Sequence, residues 1–173
     1  TTVAVSLAGD VYVRDVQRIS KFASNCSVKS ILYVFVDIEK VKFNTAWSIA
    51  KDLSGNIYVA DSSRILKMSS AGQYLASIGP IDPSNANGIN SSRTGSPTSV
   101  AVYSQGNVFT VAGNKIRKYS PEGLLLTTIG GGGSGNGQFN MPYSVIYDSN
   151  FIFVSDGMNS RVQKFDSSGN IVH

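Results

Sequence analysis

The feature that most constrains this chain is a short residue pattern that occurs four times along it. The pattern reads DVYVRD at residues 10–15, NIYVAD at 56–61, NVFTVA at 107–112 and FIFVSD at 151–156. A second run follows each copy: RISKF, RILKM, KIRKY and RVQKF. The first β-branched residues of the four copies are 46, 51 and 44 residues apart: Val11, Ile57, Val108 and Ile152. Repeats of about 40–50 residues are typical of propeller blades and too long for the shorter helical repeats of solenoids.

Each unit has the composition of strands and turns. Apolar residues alternate with polar ones or run together over short stretches, and Gly, Asn, Asp, Ser or Pro ends each stretch. The second unit divides into WSIAKD, NIYVAD, RILKMS and YLASIG, which we predict to be four antiparallel strands. The same division predicts blades at approximately 1–44, 45–95, 96–140 and 141–173, the last of which stops inside its outer strand.

A four-stranded sheet needs a neighbour on each side to bury both of its faces. Arranging such sheets radially covers every blade except those at a break in the ring. We therefore expect residues 1–173 to form one all-β domain, a β-propeller with four blades, in which Tyr12, Tyr58, Phe109 and Phe153 pack between blades.

Two segments carry a resemblance to a known family. DLSGNIYVADSSRILKMSSAGQYLASIG and GGGGSGNGQFNMPYSVIYDSNFIFVSDGMNSRVQKFDSSGNIV resemble NHL repeats, and the likeness extends over nearly the whole chain. The resemblance implies a six-bladed propeller. Four blades would then be an open arc or fragment of the ring, with the missing blades supplied by the rest of a longer chain or by another chain. A closed ring of four blades is the alternative, since propellers have about four to eight blades.

The residue inventory argues against an enzyme. His173 is the sole histidine and lies at the terminal position, and Cys26 is the sole cysteine. We therefore expect no Ser-His-Asp arrangement, no Cys/His metal site and no disulfide within one chain. The histidine-dependent metal site of NHL-type amidating lyases is excluded in the same way. The strand-start residues Ser48, Ser99 and Ser144 are not the acidic ligands that calcium would need. We predict no cofactor and no metal, and the chain has no apolar run of the ~20 residues that a membrane span requires.

Residues 130–137 formally contain the G-x-G-x-x-G pattern of a pyrophosphate site, at Gly130, Gly132 and Gly135. Such a site also needs a helix after the glycines. The next residues are QFNMPYSVIYD, which favour another strand, so we interpret the glycines as a tight crossing between blades.

Two positions recur between and along the strands. An acid and an arginine flank the second turn of three units, which predicts ion pairs between Asp15 and Arg18, Asp61 and Arg64, and Asp156 and Arg161. The third unit has Ala112 and Lys115 instead, as expected if the fork of Arg is what braces the turn. A lysine also recurs on the third strand of each unit, where we expect a solvated strand face: Lys21, Lys67, Lys118 and Lys164.

The predicted function is that of a non-catalytic scaffold that presents inter-blade loops to a protein partner. Candidate contact residues are those of the predicted loops: Arg18, Lys40, Lys42, Arg64, Arg93, Lys115, Met158, Asn159 and Arg161. An RNA-binding face is one alternative, since RNA-binding NHL domains exist and the formal net charge is +4. A part of a larger NHL-containing receptor or enzyme, with its active residues elsewhere, is another.

The composition also bears on the cellular setting. Charged residues make up 15% of the chain, against about 25% in average soluble domains, and Ser, Asn and Gly supply much of the polarity. This composition favours an extracellular or cell-surface setting. Glycosylation sequons occur at Asn25 and Asn90 and would matter there.

Overall fold

Strands and turns make up nearly all of the chain that the structure describes. This computed structural model describes residues 2–5, 9–14, 18–33, 46–61, 64–79, 97–103 and 106–172. They form sixteen strands, numbered β1 to β16 in chain order. The one helical element among these residues is a 3₁₀ turn at Gly157–Asn159. Across the same ranges, no helix has the length and apolar character to span a membrane.

The strands form four antiparallel sheets of four, and each sheet follows the chain as a simple meander. Blade one contains β1 (Thr2–Val5), β2 (Val11–Arg14), β3 (Arg18–Phe22) and β4 (Val28–Tyr33). Blade two contains β5 (Ala46–Lys51), β6 (Ile57–Asp61), β7 (Arg64–Met68) and β8 (Tyr74–Ile78). Blade three contains β9 (Pro97–Val102), β10 (Val108–Ala112), β11 (Lys115–Tyr119) and β12 (Leu125–Ile129). Blade four contains β13 (Pro142–Asp148), β14 (Phe151–Asp156), β15 (Arg161–Asp166) and β16 (Ile171–Val172).

The hairpin turns follow from the residues placed in them. In the turn after β5, the carboxylate of Asp52 accepts a hydrogen bond from the backbone N–H of Asn56 at 2.8 Å. Gly55 in that turn has a φ of +90°, in the left-handed region that favours glycine. The turn after β15 repeats this chemistry, with Asp166 accepting from the N–H of Asn170 at 2.9 Å. Local sequence therefore sets where these strands reverse.

The four sheets lie side by side in chain order, as blades around an axis. Their first strands contact one another in succession, β1 with β5, β5 with β9 and β9 with β13. Two serines mark this contact. Ser48 Oγ accepts from the N–H of Val100 at 3.2 Å, and Ser99 Oγ accepts from the N–H of Val145 at 3.1 Å. The same bond therefore recurs from blade to blade, and the first strands, which contact one another, are the inner strands of the propeller.

Three apolar cores fill the spaces between the blades. The core between blades one and two joins Tyr12 and Ile19 to residues of β5, β6 and β7, and the other two spaces are filled in the same way. β6 and β10 are buried along their whole length because a blade covers each of their faces. β14 instead alternates buried and half-buried residues, since only one of its faces is covered.

The prediction of an all-β propeller with four-stranded blades is confirmed. The sheets do not close into a ring. Accordingly, apolar side chains at both ends of the arc are more than half exposed: Val3, Val5, Ile146 and Val162. Packing of the expected aromatic residues between blades is found for Tyr12, Tyr58 and Phe109, which are fully buried. Phe153 is half-buried, since it lies on the uncovered face of blade four. The last residues of the first predicted outer strand, beyond Tyr33, lie outside the described part of the chain.

Candidate functional site

Most of the predicted contact residues belong to one end of the propeller. We define the linker end as the end at which the innermost strands β5, β9 and β13 begin. The third strands also begin there, with Arg18, Arg64, Lys115 and Arg161 as their first residues. Lys40, Lys42 and Arg93, as well as Asp15 of the first predicted ion pair, lie outside the described residues, and the side chain of Arg18 is also not described.

The carboxylate of Asp156 organises the linker end of blade four. It is fully buried and accepts hydrogen bonds from the N–H of Asn140 at 2.7 Å and from Asn159 Nδ2 at 2.8 Å. Arg161 Nε donates to Asp156 Oδ2 at 2.9 Å, and Gln163 Nε2 donates to the same oxygen at 3.1 Å. Burial alone would raise the pKa of Asp156, but the hydrogen bonds from Asn140, Asn159 and Arg161 and the Arg161 charge outweigh it and lower the pKa below its usual range. Asp156 is therefore held as a carboxylate by its own chain.

Arg161 and Asn159 use their remaining donors to hold the glycine-rich segment. Arg161 Nη2 donates to the carbonyls of Gly135 at 2.7 Å and Gln138 at 3.0 Å. Asn159 Nδ2 donates to the carbonyl of Gly133 at 2.9 Å. Arg161 and Asn159, which we predicted to contact a partner, therefore bind the inter-blade loop instead. Fewer of their hydrogen-bond donors remain for a ligand.

The glycines of this loop permit close packing. A Cβ added at Gly130 would overlap the ring of Phe139, and one at Gly133 would overlap the side chain of Gln138. Phe139 itself is fully buried in the core between blades three and four and lies 5.7 Å from the ring of Phe165. The segment leads into strand β13, so the glycine pattern serves a blade crossing.

The other recurring positions differ in geometry. Arg64 Nε lies 3.9 Å from Asp61 Oδ2, and the Asp61 side chain is almost fully buried. In blade three, where Ala112 replaces the acid, Lys115 is exposed to solvent. Among the predicted contact residues with described side chains, Lys115 is therefore the cation most available to a partner.

A recurring bulge at the linker end exposes residues that sequence reasoning missed. In the pairing of first with second strands, the register shifts between Ala46 and Ser48 and between Pro142 and Ser144. Trp47 and Tyr143 occupy these shifts and are 49% and 56% exposed. β-Bulges turn side chains out of the sheet pattern and are frequent beside functional sites. In the sequence, each of these two residues directly precedes the serine near the start of an inner strand, Ser48 or Ser144.

The equivalent bulge of blade three contains Thr98. Blade three lies between the blades that carry Trp47 and Tyr143. The Oγ1 of Thr98 is buried and has no hydrogen-bond partner among the described residues. Gly157 packs directly against the Tyr143 ring, and the next residue, Met158, is 63% exposed. The linker end therefore presents two aromatic rings and a thioether to solvent, and it contains one buried hydroxyl without a partner among the described residues.

The lysines of the third strands do not form the solvated face that we expected. Each lies directly across the sheet from the aromatic residue of the second strand, as Tyr58 pairs with Lys67. The ammonium groups of Lys21, Lys67, Lys118 and Lys164 lie 5.5, 5.4, 5.6 and 5.8 Å from the ring centres of Tyr12, Tyr58, Phe109 and Phe153. This contact is a cation–π interaction, which desolvation strengthens.

The opposite end carries the sequon at Asn25. Asn25 is exposed in the turn between β3 and β4, and its Oδ1 accepts hydrogen bonds from the N–H and the hydroxyl of Ser27 at 3.1 and 2.7 Å. The second sequon, at Asn90, lies outside the described residues. Within the described ranges, no group of three His, Cys, Asp or Glu side chains is placed to hold a metal ion.

Comparison with known proteins supports the fold and leaves the family open. The chain is similar to a crystal structure of a protein of unknown function from Bacteroides caccae, with a TM-score of 0.61 and 16% sequence identity. The alignment covers 99% of this chain and 58% of that one, so the chain spans little more than half of its length. Neither the family models nor the curated proteins compared with the chain give a match. At this level of identity, the likeness shows the propeller fold alone.

Proposed function

We propose that this chain is a non-catalytic scaffold that binds a protein partner at the linker end. The observation that carries the proposal is the exposure of Trp47 and Tyr143 on bulges of the inner strands. Tryptophan and tyrosine are the residues most enriched among those that dominate protein interfaces, and methionine is also enriched there. Met158, which is exposed at the same end of blade four, adds an apolar side chain to this surface.

Charge at the linker end favours a protein partner over RNA. RNA binding draws much of its affinity from Lys and Arg contacts to phosphates. Arg161 donates from Nε to Asp156 and from Nη2 to the carbonyls of Gly135 and Gln138. Arg64 lies near the carboxylate of Asp61. Lys115 remains as an exposed cation among the described candidates. Exposed aromatic rings can stack on bases, so RNA stays the alternative that the experiment must distinguish.

Membership of the NHL-repeat family, a complete ring of about six blades and an extracellular or cell-surface setting belong to the same proposal. The family and the ring are supported by the resemblance of the repeats and by the turn chemistry at Asp52 and Asp166. The setting is supported by the low share of charged residues. A larger propeller is also compatible with the 58% of the Bacteroides caccae structure that the alignment covers.

The test is selection of peptide ligands from a random library displayed on phage. We expect peptides selected on the wild-type chain to bind the double variant Trp47→Ala/Tyr143→Ala about 10-fold more weakly or worse, a loss of about 1.4 kcal/mol. The matched control is Leu124→Ala/Leu126→Ala, which removes two exposed leucines near the outer edge of blade three. Equal binding to both double variants, or no enriched peptide, would contradict the proposal.

A second arm measures the binding of a single-stranded RNA oligonucleotide by fluorescence anisotropy at low and high salt. We expect no binding that depends on Arg64 and Lys115. Salt-sensitive binding that weakens in Arg64→Gln and Lys115→Gln would support the RNA alternative and contradict a protein-binding linker end.

A further inference from the structure

The chain contains two Asn-Gly pairs, Asn87-Gly88 and Asn136-Gly137, and the second lies among the described residues. Asparagine before glycine is the pair most prone to deamidation without an enzyme, because glycine has no Cβ to obstruct attack of its backbone nitrogen on the asparagine side chain. The other described asparagines precede larger residues. Asn136 is therefore the described asparagine whose neighbour best permits this reaction.

Asn136 and Gly137 are the central residues of a turn at the linker end. The N–H of Gln138 donates to the carbonyl of Gly135 at 3.0 Å and closes the turn, and Gly137 has a φ of +76°. The Asn136 side chain is exposed and makes no hydrogen bond to another described residue. Its amide is therefore open to water and can rotate towards the backbone.

One hydrogen bond holds the attacking nitrogen away from this amide. The N–H of Gly137 donates to Oε1 of Gln163 on β15 at 2.9 Å. Gln163 is 5% exposed, and its Nε2 donates in turn to the carbonyl of Gln138 and to Asp156, at 2.7 and 3.1 Å. Because the Gly137 nitrogen must turn towards Cγ of Asn136 and lose this proton, the folded loop restrains the reaction.

We propose that Asn136 is a site of spontaneous deamidation whose rate is set by opening of the hydrogen bond between Gly137 and Gln163. The Gly137 nitrogen forms a bond to Asn136 Cγ, the bond from Cγ to Nδ2 breaks, and Nδ2 leaves as ammonia with the proton from the Gly137 nitrogen. Water, the solvent, then opens the resulting succinimide. Addition at Cγ gives aspartate, and addition at the main-chain carbonyl carbon of Asn136 gives isoaspartate. No atom is oxidised or reduced.

Either product alters the loop that Arg161 holds. Both place a carboxylate between the carbonyl of Gly135, to which Arg161 donates, and the N–H of Gly137. Isoaspartate also lengthens the main chain by one methylene at this point, so the bonds on its two sides cannot both keep their present positions. The modification would therefore loosen the linker end irreversibly, whichever partner binds there.

The test is peptide mapping by mass spectrometry during incubation of the purified chain at mildly alkaline pH, where the backbone nitrogen loses its proton more easily. We expect Asn136 to convert before every other described asparagine of the folded chain. In urea at the same pH, conversion should be about 10-fold faster or more, because the hydrogen bond and the turn no longer restrain the nitrogen. Labelling with an isoaspartyl methyltransferase distinguishes the two products, and Asn136→Gln should abolish the signal.

The decisive comparison is between two variants that weaken the protein in different places. Gln163→Met keeps the size of the side chain but removes the acceptor of the Gly137 N–H, and we expect it to raise the rate at Asn136 by about 5–10-fold. The matched control, Val59→Ala, weakens the buried core at blade two, on the other side of blade three, and should leave that rate unchanged.

Urea denaturation checks that both variants are folded under the incubation conditions. Where Gln163→Met does not fold, the folded and the urea-unfolded wild-type chains decide the question. Equal rates at Asn136 in those two states, earlier conversion of another described asparagine, or a folded Gln163→Met chain that reacts no faster than Val59→Ala would overturn the proposal.

Discussion

At the scale of single residues, one buried carboxylate and one backbone angle show how local chemistry supports the blades. Asp156 collects four hydrogen bonds from Asn140, Asn159, Arg161 and Gln163, which join the inter-blade loop to strands β14 and β15. In the hairpin turns, glycine repeatedly occupies the left-handed position, but the turn after β3 has Cys26 there, with a φ of +64°.

Replacing Asp156 with alanine should lower the free energy of unfolding by about 1–3 kcal/mol, because the partly exposed Arg161 and the buried amide of Gln163 would lose their shared acceptor. Urea denaturation followed by tryptophan fluorescence measures this change. The control is Asp148→Ala, which removes an exposed acid from the same blade and should change the stability by less than about 0.5 kcal/mol. Similar losses in the two variants would contradict this account.

The same carboxylate makes a definite contribution to acid sensitivity. The pKa of Asp156 is lower in the folded chain than its unfolded value of about 3.9. Its stabilising contribution is therefore complete above that value and is lost as the pH falls through the folded pKa. We expect the wild-type chain to lose stability below about pH 4 more steeply than Asp156→Ala, as measured by urea midpoints at stepped pH. Parallel pH profiles would refute this assignment.

Replacing Cys26 with glycine should stabilise the chain slightly. A non-glycine residue in the left-handed region costs about 1–2 kcal/mol, and the greater freedom of glycine in the unfolded chain offsets about half of that. We expect a net gain of about 0.5 kcal/mol in thermal or urea unfolding. The reverse change, Gly55→Ala at a φ of +90°, should cost about 1 kcal/mol. A loss of stability in Cys26→Gly would show that the thiol has a packing role.

At the scale of strands, cross-strand pairs repeat while their burial depends on the neighbouring blade. Phe109 and Phe153 occupy the same position of the repeat, and both lie beneath a lysine of the next strand. Phe109 is fully buried and stacks on Tyr147 of blade four, with ring centres 5.5 Å apart. Phe153 has no blade over it and is half-buried within one copy.

The cost of truncating these two side chains should therefore differ. We expect Phe109→Ala to lose about 3–5 kcal/mol, as is usual for a large buried aromatic residue. Phe153→Ala should lose less than about 2 kcal/mol when measured in dilute, monomeric protein by urea denaturation. Equal losses under these conditions would mean that blade four is covered by something within the single copy.

At the scale of the whole molecule, stability should be highest in the middle of the arc. Each apolar core joins only adjacent blades, so the blades couple as nearest neighbours, like the units of a repeat protein. Blades two and three have a neighbour on each face, whereas blades one and four have one neighbour each.

Native-state hydrogen exchange of the monomer should reveal this order. We expect the slowest amides in β6 and β10, which are buried along their whole length, and faster exchange in β2 and β14. Uniform protection across the four blades in the monomer would indicate a single cooperative unit and contradict nearest-neighbour coupling.

The sequence by itself determined the blades of this protein. The alternation in NIYVAD and the turn residues Asp52 and Gly55 act over a few neighbouring positions, so they can be recognised without knowledge of what lies nearby in space. The tertiary structure decided which side chains are available for binding. Trp47 and Tyr143 are exposed because the strand register shifts beside them, and Arg161 is engaged because a loop 23 residues earlier in the chain folds over it. Register and neighbouring segments are properties of distant parts of the chain brought together, and no local pattern specifies them.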